Sequence, residues 1–512
     1  MANQTEFDVA VVGAGPVGLA LAVDLARQGV GTLLIDDNDA VAVGSRAICW
    51  AKRTLDIFDR LGVGDAMVEK GVTWKIGRLF RGAHAIDRFD LLPEAGHKNP
   101  AFINLQQYHV EAELIRRAAT LDGLTLAFRH ALTRHEDTGD GVTLHVETPA
   151  GDKTFRAQFC VACDGARSPT RARMGLTMAG ERFEERFLIA DVKMAQSPFE
   201  TPAPERWFWF HPPFHAGQSA LFHKQPDDIY RIDFQLGPDA DPAHERQPDV
   251  VRPRLEAMLG DRPFSLEWVS VYAFTCARLE RFVHGNVIFA GDSAHVVSPF
   301  GARGGNGGIQ DADNLAWKLA AIVRGAPRAL LGTYDEERIH AADENIKNSA
   351  RATRFMTPKT PTESLFREAV LALSQDTPFA KRLVNSGRLS TPADLAGSSL
   401  SGAGVPGAIP VGRPCPDAAL GGDHLLAHLG DRFSTLTVGA AARAGVRGHH
   451  VHVALPGEPA GPGDFLDADG FVAERYGRDV AILVRPDQHV MATAHTAGAL
   501  YDAAPNLIQP LL

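Results

Sequence analysis

Apolar and polar positions at the start of the chain predict a β-α-β unit. Residues 7–12 form a short apolar stretch that is typical of a buried strand. Residues 19–26 repeat apolar side chains with the helical period, and residues 32–35 are a second apolar stretch that ends in Asp36. We therefore expect a strand, a helix and a parallel second strand within the first 36 residues.

The turn of this unit carries glycines at the spacing G-x-G-x-x-G, with Gly13, Gly15, Pro16 and Gly18 leading into the helix. Glycine permits a tight turn and the close approach of a pyrophosphate to a positive helix end. Asp36 lies 18 positions after the last of these glycines, where an acidic residue binds an adenosine ribose. The pattern predicts a dinucleotide site.

The apolar period changes to two between about residues 185 and 280. Alternating positions there form three sets: Trp207, Trp209 and His211; Tyr230, Ile232 and Phe234, which alternate with Arg231, Asp233 and Gln235; and Trp268, Ser270, Tyr272 and Phe274. This period predicts a sheet inserted into the nucleotide-binding domain. We expect its aromatic faces to line a dry pocket.

A second glycine-rich stretch occupies residues 291–308, after an apolar strand at 287–289. It contains Asp292, which we expect to be buried, then Pro299 and five glycines within residues 301–308. The pattern predicts a loop through residue 308 and a helix from residue 309. Bare N–H groups at such a helix start favour an anion or an electron-rich ring edge.

Composition limits the class of protein. The 512 residues are too many for one core and indicate about three domains. A net charge of −10 argues against nucleic acid as a partner. No apolar run approaches the roughly 20 residues of a membrane span, and the N-terminus does not resemble a secretory signal, so we expect a cytoplasmic location. Cys160 and Cys163 form a C-x-x-C spacing on an apparent strand, where a redox role is the less favoured alternative.

Three ordered signatures support a family resemblance: Gly13 to Gly18, Asp164-Gly165 within residues 164–171, and Gly291-Asp292. With these, residues 7 to about 390 resemble the FAD-dependent aromatic hydroxylases, the class A flavoprotein monooxygenases typified by para-hydroxybenzoate hydroxylase. The remainder resembles the thioredoxin-like C-terminal domain of the phenol and hydroxyphenylpropionate hydroxylase branch, through residues 412–417 and 484–487. It lacks a C-x-x-C, so dithiol chemistry is not expected there.

The resemblance implies an α/β fold with a discontinuous Rossmann-like FAD-binding domain at 1–75, 100–180 and 280–390. A substrate-binding sheet domain would occupy 76–99 and 181–279, a linker 391–407, and a thioredoxin-like domain 408–512. It also implies a set of cofactor contacts and no metal site. The expected contacts are Gly13, Gly15, Pro16, Gly18, Asp36, Arg46, Gln107, Asp164, Gly165, Gly291, Asp292, Pro299, Gly301, Gly304, Gly305 and Asn306.

By the same resemblance, NADH or NADPH reduces FAD, and a flavin C4a-hydroperoxide formed with O2 transfers OH to a phenolic ring. His211 and Tyr272 are candidates to contact the phenol oxygen, and Arg303 would place a cation near the flavin. The plainer interpretation makes His211 and Tyr272 satisfied core residues and puts Arg303 in a surface salt bridge. The expected partners are a small aromatic substrate and O2, without nucleic acid or membrane, and a homodimer is compatible with the resemblance.

Other functions remain open at this point. The same scaffold could hydroxylate a multi-ring polyketide or antibiotic, or could bind FAD without oxygenase turnover. A flavin halogenase is disfavoured because the chain has Trp207-Phe208-Trp209 but no W-x-W-x-I-P segment. A plain NAD dehydrogenase is disfavoured because the first glycine motif is accompanied by the two later signatures.

Overall fold

The computed structural model describes residues 5–39, 41, 47–215, 217–237, 239–374, 376–384 and 389–512, and of residues 182, 184 and 185 it describes only the backbone. The strands up to residue 162 are β1 (Glu6–Val12), β2 (Thr32–Asp36), β3 (Cys49–Ala51), β4 (Val72–Trp74), β5 (Ile76–Arg81), β6 (His84–Asp90), β7 (Phe102–Asn104), β8 (Leu124–Phe128), β9 (Ala131–Asp137), β10 (Val142–Glu147) and β11 (Lys153–Ala162).

The strands of the middle of the chain are β12 (Ala179–Lys193), β13 (Glu205–Phe210), β14 (Ser219–Lys224), β15 (Ile229–Leu236), β16 (Ser265–Arg278), β17 (Val283–His284), β18 (Val287–Phe289) and β19 (His295–Val296). Those of the C-terminal part are β20 (Ala419–Leu420), β21 (Asp423–His424), β22 (Ser434–Val438), β23 (His449–Ala454), β24 (Phe465–Leu466), β25 (Val480–Val484) and β26 (Val490–Ala494).

The helices are α1 (Pro16–Arg27), α2 (Lys52–Arg60), α3 (Gly64–Lys70), α4 (Gln107–Ala118), α5 (Pro169–Arg173), α6 (Pro242–Glu245), α7 (Pro248–Leu259), α8 (Gly304–Val323), α9 (Gly332–Met356), α10 (Pro361–Leu373), α11 (Pro378–Val384), α12 (Phe471–Tyr476) and α13 (Ala497–Ala503). In the described part of the chain, none of them combines the length and the apolar character that a bilayer crossing requires.

The predicted β-α-β unit forms the centre of the first sheet, whose order is β17-β18-β11-β1-β2-β8. β1 pairs in parallel with both β2 and β11, and β18 extends the parallel run. Val9, Leu33 and Val161 are fully buried, because helices cover the sheet and leave no strand face in water. This is the Rossmann-like layer predicted from the sequence.

The second sheet has the order β19-β16-β12-β15-β14-β13-β5-β6. Trp209, Phe222, Tyr230 and Phe234 face one side, where they pack against α7 in a closed hydrophobic core. The aromatic residues of the first two predicted sets therefore fill the inside of this sheet domain, whereas Tyr272 and Phe274 of the third set line a cavity. The wall is formed by the opposite face, whose residues alternate with these aromatics.

The C-terminal sheet has the order β24-β23-β22-β25-β26, with β22 parallel to β23 and antiparallel to β25. Its strands β22, β25 and β26 are completely buried. Leu395 and Leu400, from the segment predicted as a linker, are also buried. The three sheets confirm the predicted fold class, whereas the exact domain boundaries remain a prediction.

The helix after the glycine run starts earlier than predicted. α8 begins at Gly304 rather than at residue 309, so four glycines lie in its first two turns. A Cβ on Gly308 would come within 2.6 Å of Val17, and one on Gly305 within 3.2 Å of Trp50. These positions are occupied by glycine because α8 passes α1 and Trp50 too closely for a side chain to fit.

Candidate active site

One cavity of about 1020 Å³ runs from the glycine turn after β1 to the open face of the second sheet. Residues from distant parts of the chain meet there. Of the residues predicted from the sequence, those that line it are Gly13, Gly15, Pro16, Asp36, Gln107, Asp164, Gly165, Tyr272, Asp292, Pro299, Arg303, Gly304, Gly305 and Asn306.

Three predicted glycines serve packing and do not line this cavity. A Cβ on Gly18 would lie 1.9 Å from the carbonyl oxygen of Gly13, and one on Gly291 would lie 3.0 Å from Val17. Gly301 has a φ of +94° and turns the chain beside Arg303. Arg46 lies outside the described residues, so its predicted contact stays a prediction.

The first glycine turn is shaped for a ligand. Gly13 has a φ of +107°, and a Cβ there would meet the carbonyl oxygen of Cys163 at 2.5 Å. A Cβ on Gly15, in contrast, would meet nothing within 4 Å, because Gly15 faces the cavity. Asp36 accepts a hydrogen bond from the backbone N–H of Ala14 at 2.6 Å, which fixes its carboxylate beside the turn.

The second signature supplies an acceptor without a partner. Asp164 Oδ2 accepts a hydrogen bond from the backbone N–H of Thr170 at 2.9 Å. Its Oδ1 is buried and has no hydrogen-bond partner among the described residues. Gly165, with a φ of +78°, leaves open space where a side chain would stand. Because buried polar atoms are rarely left unpaired, this corner fits a ligand with hydroxyl donors.

Asp292 is exposed, contrary to the prediction that it is buried. It lies in the 3-10 turn Gly291–Ser293, which directs it into the cavity while both neighbours are buried. The buried carboxylate is Asp311, which accepts hydrogen bonds from the Gly291 N–H at 2.9 Å, His295 Nε2 at 2.7 Å and Arg338 Nε at 2.6 Å. Asp311 thus holds the turn that presents Asp292.

Burial alone would raise the pKa of the Asp311 carboxyl, but His295 and Arg338 outweigh that effect. Together they lower its pKa from 3.8 to about 2. The group is therefore ionised at any physiological pH. Its position 20 residues after Gly291 gave no signal of this role in the sequence.

Two polar residues of the glycine run bond to the protein through their side chains. Arg303 is 6% exposed, and its Nη1 donates to Asn345 Oδ1 on α9 at 3.2 Å. Asn306 donates from Nδ2 to the carbonyl oxygens of Ala302 and Cys49, and accepts from the N–H of Ala51. Asn306 therefore joins α8 to β3 and leaves only its backbone for a ligand.

Gln107 begins α4 at the edge of the same cavity. Its Nε2 donates to Glu111 Oε1 at 2.7 Å, and its Oε1 accepts from the Ala47 N–H at 3.3 Å. The amide is thereby fixed between Glu111 and the backbone of Ala47.

The position of His211 corrects the sequence interpretation. It follows the end of β13 with a φ of +49°, so it does not continue the strand alternation with Trp207 and Trp209. It lines a separate pocket, where its Nε2 lies 3.1 Å from Glu368 Oε1 and 2.7 Å from Arg367 Nη2. His211 is therefore outside the cavity that contains the other predicted site residues.

The far end of the cavity combines an aromatic wall with a polar wall. Phe187, Phe274 and Phe300 form the aromatic wall, with ring centroids 5.0–6.4 Å apart. Tyr272 lines the cavity on the strand next to Phe187, with which it is in register. These rings can enclose an aromatic ligand and exclude water.

The polar wall is a row of in-register residues across the second sheet. Arg206 of β13 is paired with His223 of β14, His223 with Arg231 of β15, and Arg231 with Asp191 of β12. Asp191 accepts from Arg231 Nε and Nη2, both at 2.8 Å. Asp233 lies two residues further along β15 on the same face.

The sequence indicated that Arg231 and Asp233 share a face, but did not identify them as site residues. Arg206 and His223 were missed altogether, although their alternation with Trp207 and Phe222 was visible in the sequence. The pairing of β13, β14 and β15 brings these residues together.

Comparison with known proteins identifies the family of the chain. Residues 6–349 match the protein family described as "FAD binding domain". A 3-(3-hydroxy-phenyl)propionate/3-hydroxycinnamic acid hydroxylase of Mycolicibacterium gilvum is 32% identical over 387 residues, which are 75% of this chain and 66% of that protein. The chain thus matches just under two thirds of that relative's length. A flavin-dependent monooxygenase of Mycobacteroides abscessus is 30% identical, over 70% of this chain and 77% of that protein.

Solved structures have the same fold. The flavin-dependent monooxygenase PieE, in complex with FAD and substrate, matches with a TM-score of 0.80 at 24% identity, over 99% of both chains. The p-nitrophenol 4-monooxygenase PnpA of Pseudomonas putida matches with a TM-score of 0.66 at 26% identity, over 76% of this chain and 99% of that one. The glycine turn, the open corner at Asp164 and Gly165, and these matches lead to one conclusion: the chain belongs to the FAD-binding-domain family of flavin-dependent monooxygenases.

Proposed function

We propose that the chain is a monooxygenase that uses FAD, NADH or NADPH and O2 to hydroxylate a phenolic ring. The observation that supports this most directly is the continuity of the cavity. The glycine turn at one end suits a dinucleotide, and the phenylalanines and arginines at the other suit an aromatic ligand with a polar group. Relatives named as hydroxylases of hydroxyphenyl compounds agree with this chemistry.

When bound, FAD supplies the redox chemistry and the activation of oxygen. We propose that Gly13, Gly15 and the N-terminus of α1 bind its pyrophosphate, and that Asp36 accepts from its adenosine ribose. Asp164 Oδ1, unpaired among the described residues, and the cavity-facing Asp292 would accept from hydroxyl groups of the cofactor. The N-terminal turn of α8 would present its backbone N–H groups to the flavin ring.

The phenylalanine wall would keep the reacting ring dry, because water in such a site diverts activated oxygen to peroxide. Tyr272 lines this wall and remains a candidate to contact the substrate. Arg303 would act through the position of the glycine run, since its guanidinium donates to Asn345.

Turnover with a panel of phenols tests the proposal. Purified protein is supplied with NADH or NADPH and then with phenol, 4-nitrophenol, 3-(3-hydroxyphenyl)propionate or a multi-ring hydroxyquinone. We expect at least one compound to accelerate NAD(P)H oxidation and to give a product heavier by one oxygen atom. Bound flavin with no response to any compound would instead favour an FAD-binding protein without turnover.

The multi-ring compound in the panel tests the tailoring alternative, which differs only in the substrate. The cytoplasmic location and the homodimer also remain proposals. Light scattering on the purified protein would decide the second of them.

A further inference from the structure

His223 is the most unusual polar group of the cavity. It is 2% exposed, and neither of its ring nitrogens has a hydrogen-bond partner among the described residues. An imidazole buried in this way loses about 1–3 kcal/mol per unmet group relative to one that is bonded. Since His223 lines the cavity, a ligand bound there can supply the missing hydrogen-bond partner.

Asp233, on the next row of the sheet, also has a buried polar atom without a hydrogen-bond partner among the described residues. This atom is Oδ1, and the residue lines the same part of the cavity as His223. Diagonal neighbours on adjacent strands stand close enough for both side chains to reach one ligand oxygen. Two polar groups with unpaired atoms among the described residues therefore lie at diagonal positions of the same wall.

The two arginines of the row differ in whether a carboxylate of the described chain already pairs with them. Arg231 is engaged by Asp191 through two hydrogen bonds, so that charge is already matched. Arg206 donates to the Cys49 sulfur at 3.5 Å and its guanidinium lies 5.7 Å from the Trp74 ring, but within the described chain it has no carboxylate partner. Arg206 is therefore the cation that is left to match a negative charge on a ligand.

We propose that the phenolic oxygen of the substrate binds between Arg206 and His223, and that the Asp233 carboxylate takes its proton. This inference rests on the proposed function and names the acid-base residues of the same site. The O–H bond of the phenol breaks, the proton moves to the Asp233 carboxylate, and the electron pair stays on oxygen as a phenolate. A His223 N–H and the Arg206 guanidinium stabilise that phenolate, which makes the ring more electron-rich.

The electrostatics agree with this division of roles. Burial, followed by Arg206 and Arg231, lowers the pKa of His223 well below its usual range, so the ring is neutral and donates through one nitrogen. Burial raises the pKa of Asp233 to about 6 even though Arg231 and Arg206 oppose it. A base with a pKa near the working pH is suited to proton transfer. The charged and titratable groups around Asp233 are Arg231 of β15, Arg206 of β13, Asp191 of β12, His223 of β14 and Cys49 of β3.

The test uses the holoenzyme and the panel phenol that most accelerates wild-type NAD(P)H oxidation. The ionisation of that phenol, when bound, is followed by the ultraviolet difference spectrum of its phenolate as a function of pH. We expect an apparent pKa below that of the free phenol in the wild type. Arg206→Gln, which removes the cation beside the phenolate, should return it towards the free value by at least one unit. Asp233→Asn, which removes the proton acceptor, should lower kcat at least tenfold at neutral pH.

A pH profile separates this role from a structural one. In Asp233→Asn, kcat should recover as the pH approaches the pKa of the free phenol, because the substrate then ionises unaided. His223→Gln should weaken phenol binding about tenfold. Asp228→Asn is the matched control, since this exposed aspartate sits just before β15 at a φ of +57° that asparagine tolerates, and it should leave both quantities unchanged.

The outcomes separate the two proposals. If no phenol stimulates the wild type, the proposed function fails and this inference fails with it. If a phenol stimulates but Arg206→Gln leaves the ionisation of the bound phenol unchanged, or Asp233→Asn leaves the pH profile of kcat unchanged, the inference alone is overturned. It is also overturned if Arg206→Gln abolishes the discrimination between carboxylated and plain phenols without a change in ionisation, because the row would then be a carboxylate anchor.

Discussion

Arg485 and Glu337 form a buried ion pair that joins the C-terminal sheet to helix α9. Arg485 follows the end of β25, and its Nη1 and Nη2 donate to the two carboxylate oxygens of Glu337 on α9 at 2.6 and 3.0 Å. Their side chains are 2% and 0% exposed. Lys318 of α8 also donates to Glu337, at 2.8 Å. Helix α8, which begins at the glycine run, is therefore linked through Glu337 to the C-terminal sheet.

Replacing one partner of this pair should be strongly destabilising. Arg485→Met leaves Lys318 as the one cation paired with the buried Glu337 carboxylate among the described residues, and such a break lowers the free energy of unfolding by about 3–5 kcal/mol. Arg413→Met is the control, because the Arg413–Asp394 pair is exposed and contributes about 1 kcal/mol or less. Denaturant unfolding of both variants measures the difference. Equal losses would contradict a special role for the buried pair.

Two glycines of the first turn should respond differently to a methyl group. Gly18→Ala places a Cβ 1.9 Å from the Gly13 carbonyl oxygen, so the cofactor-free protein should itself lose stability. Gly15→Ala meets no protein atom within 4 Å and should fold normally, yet lose bound flavin. Thermal unfolding of the cofactor-free proteins and flavin content of the purified ones give the two readouts. Full flavin content in Gly15→Ala would mean that this turn does not contact the cofactor.

The Asp311 carboxylate should make the stability depend on acid pH. Its pKa is lower in the folded protein than the usual 3.8, so its contribution is complete above about pH 4 and is lost as the pH falls towards 2. A shift of nearly two units corresponds to roughly 2–3 kcal/mol. The difference in unfolding free energy between the wild type and Asp311→Asn should shrink by that amount from pH 5 to pH 2. A constant difference would show that the pKa of Asp311 is not lowered in the folded protein.

His211 lies outside the cavity, so its replacement should have little effect on catalysis. Because His211 contacts Glu368 and Arg367 outside the cavity, His211→Gln should leave kcat and the KM for the phenol within about twofold of wild type. Tyr272→Phe, inside the cavity, should change at least one of them. Steady-state kinetics with the stimulating phenol compares the two. A large loss of kcat in His211→Gln would restore His211 as a site residue.

Local signals were sufficient to predict the glycine turn at one end of the cavity. The glycines, the helix that follows them and Asp36 are neighbours in sequence, so their spacing alone predicts the β-α-β turn. The predicted strand at 32–35 is observed as β2, Thr32–Asp36. The predicted start of α8 was wrong because tertiary packing there overrides the weak helix propensity of glycine.

The lining of the other end of the cavity depended on information that periodicity does not contain. Alternation showed that Tyr230 and Phe234 oppose Arg231 and Asp233, but not which set faces the core. The packing of α7 against the aromatic face decides that question. Likewise, β13 ends at Phe210 because His211 adopts a positive φ, which no residue spacing indicates.

The central claim is that three distant segments of the chain bind one FAD, and flavin stoichiometry measures this directly. Protein purified or reconstituted with FAD should be yellow and contain about one flavin per chain, as absorbance of the released cofactor reports. Asp292→Ala should lose most of that flavin, while the exposed control Asp228→Asn keeps it. Wild-type protein that stays colourless after reconstitution, or full flavin content in Asp292→Ala, would contradict the account.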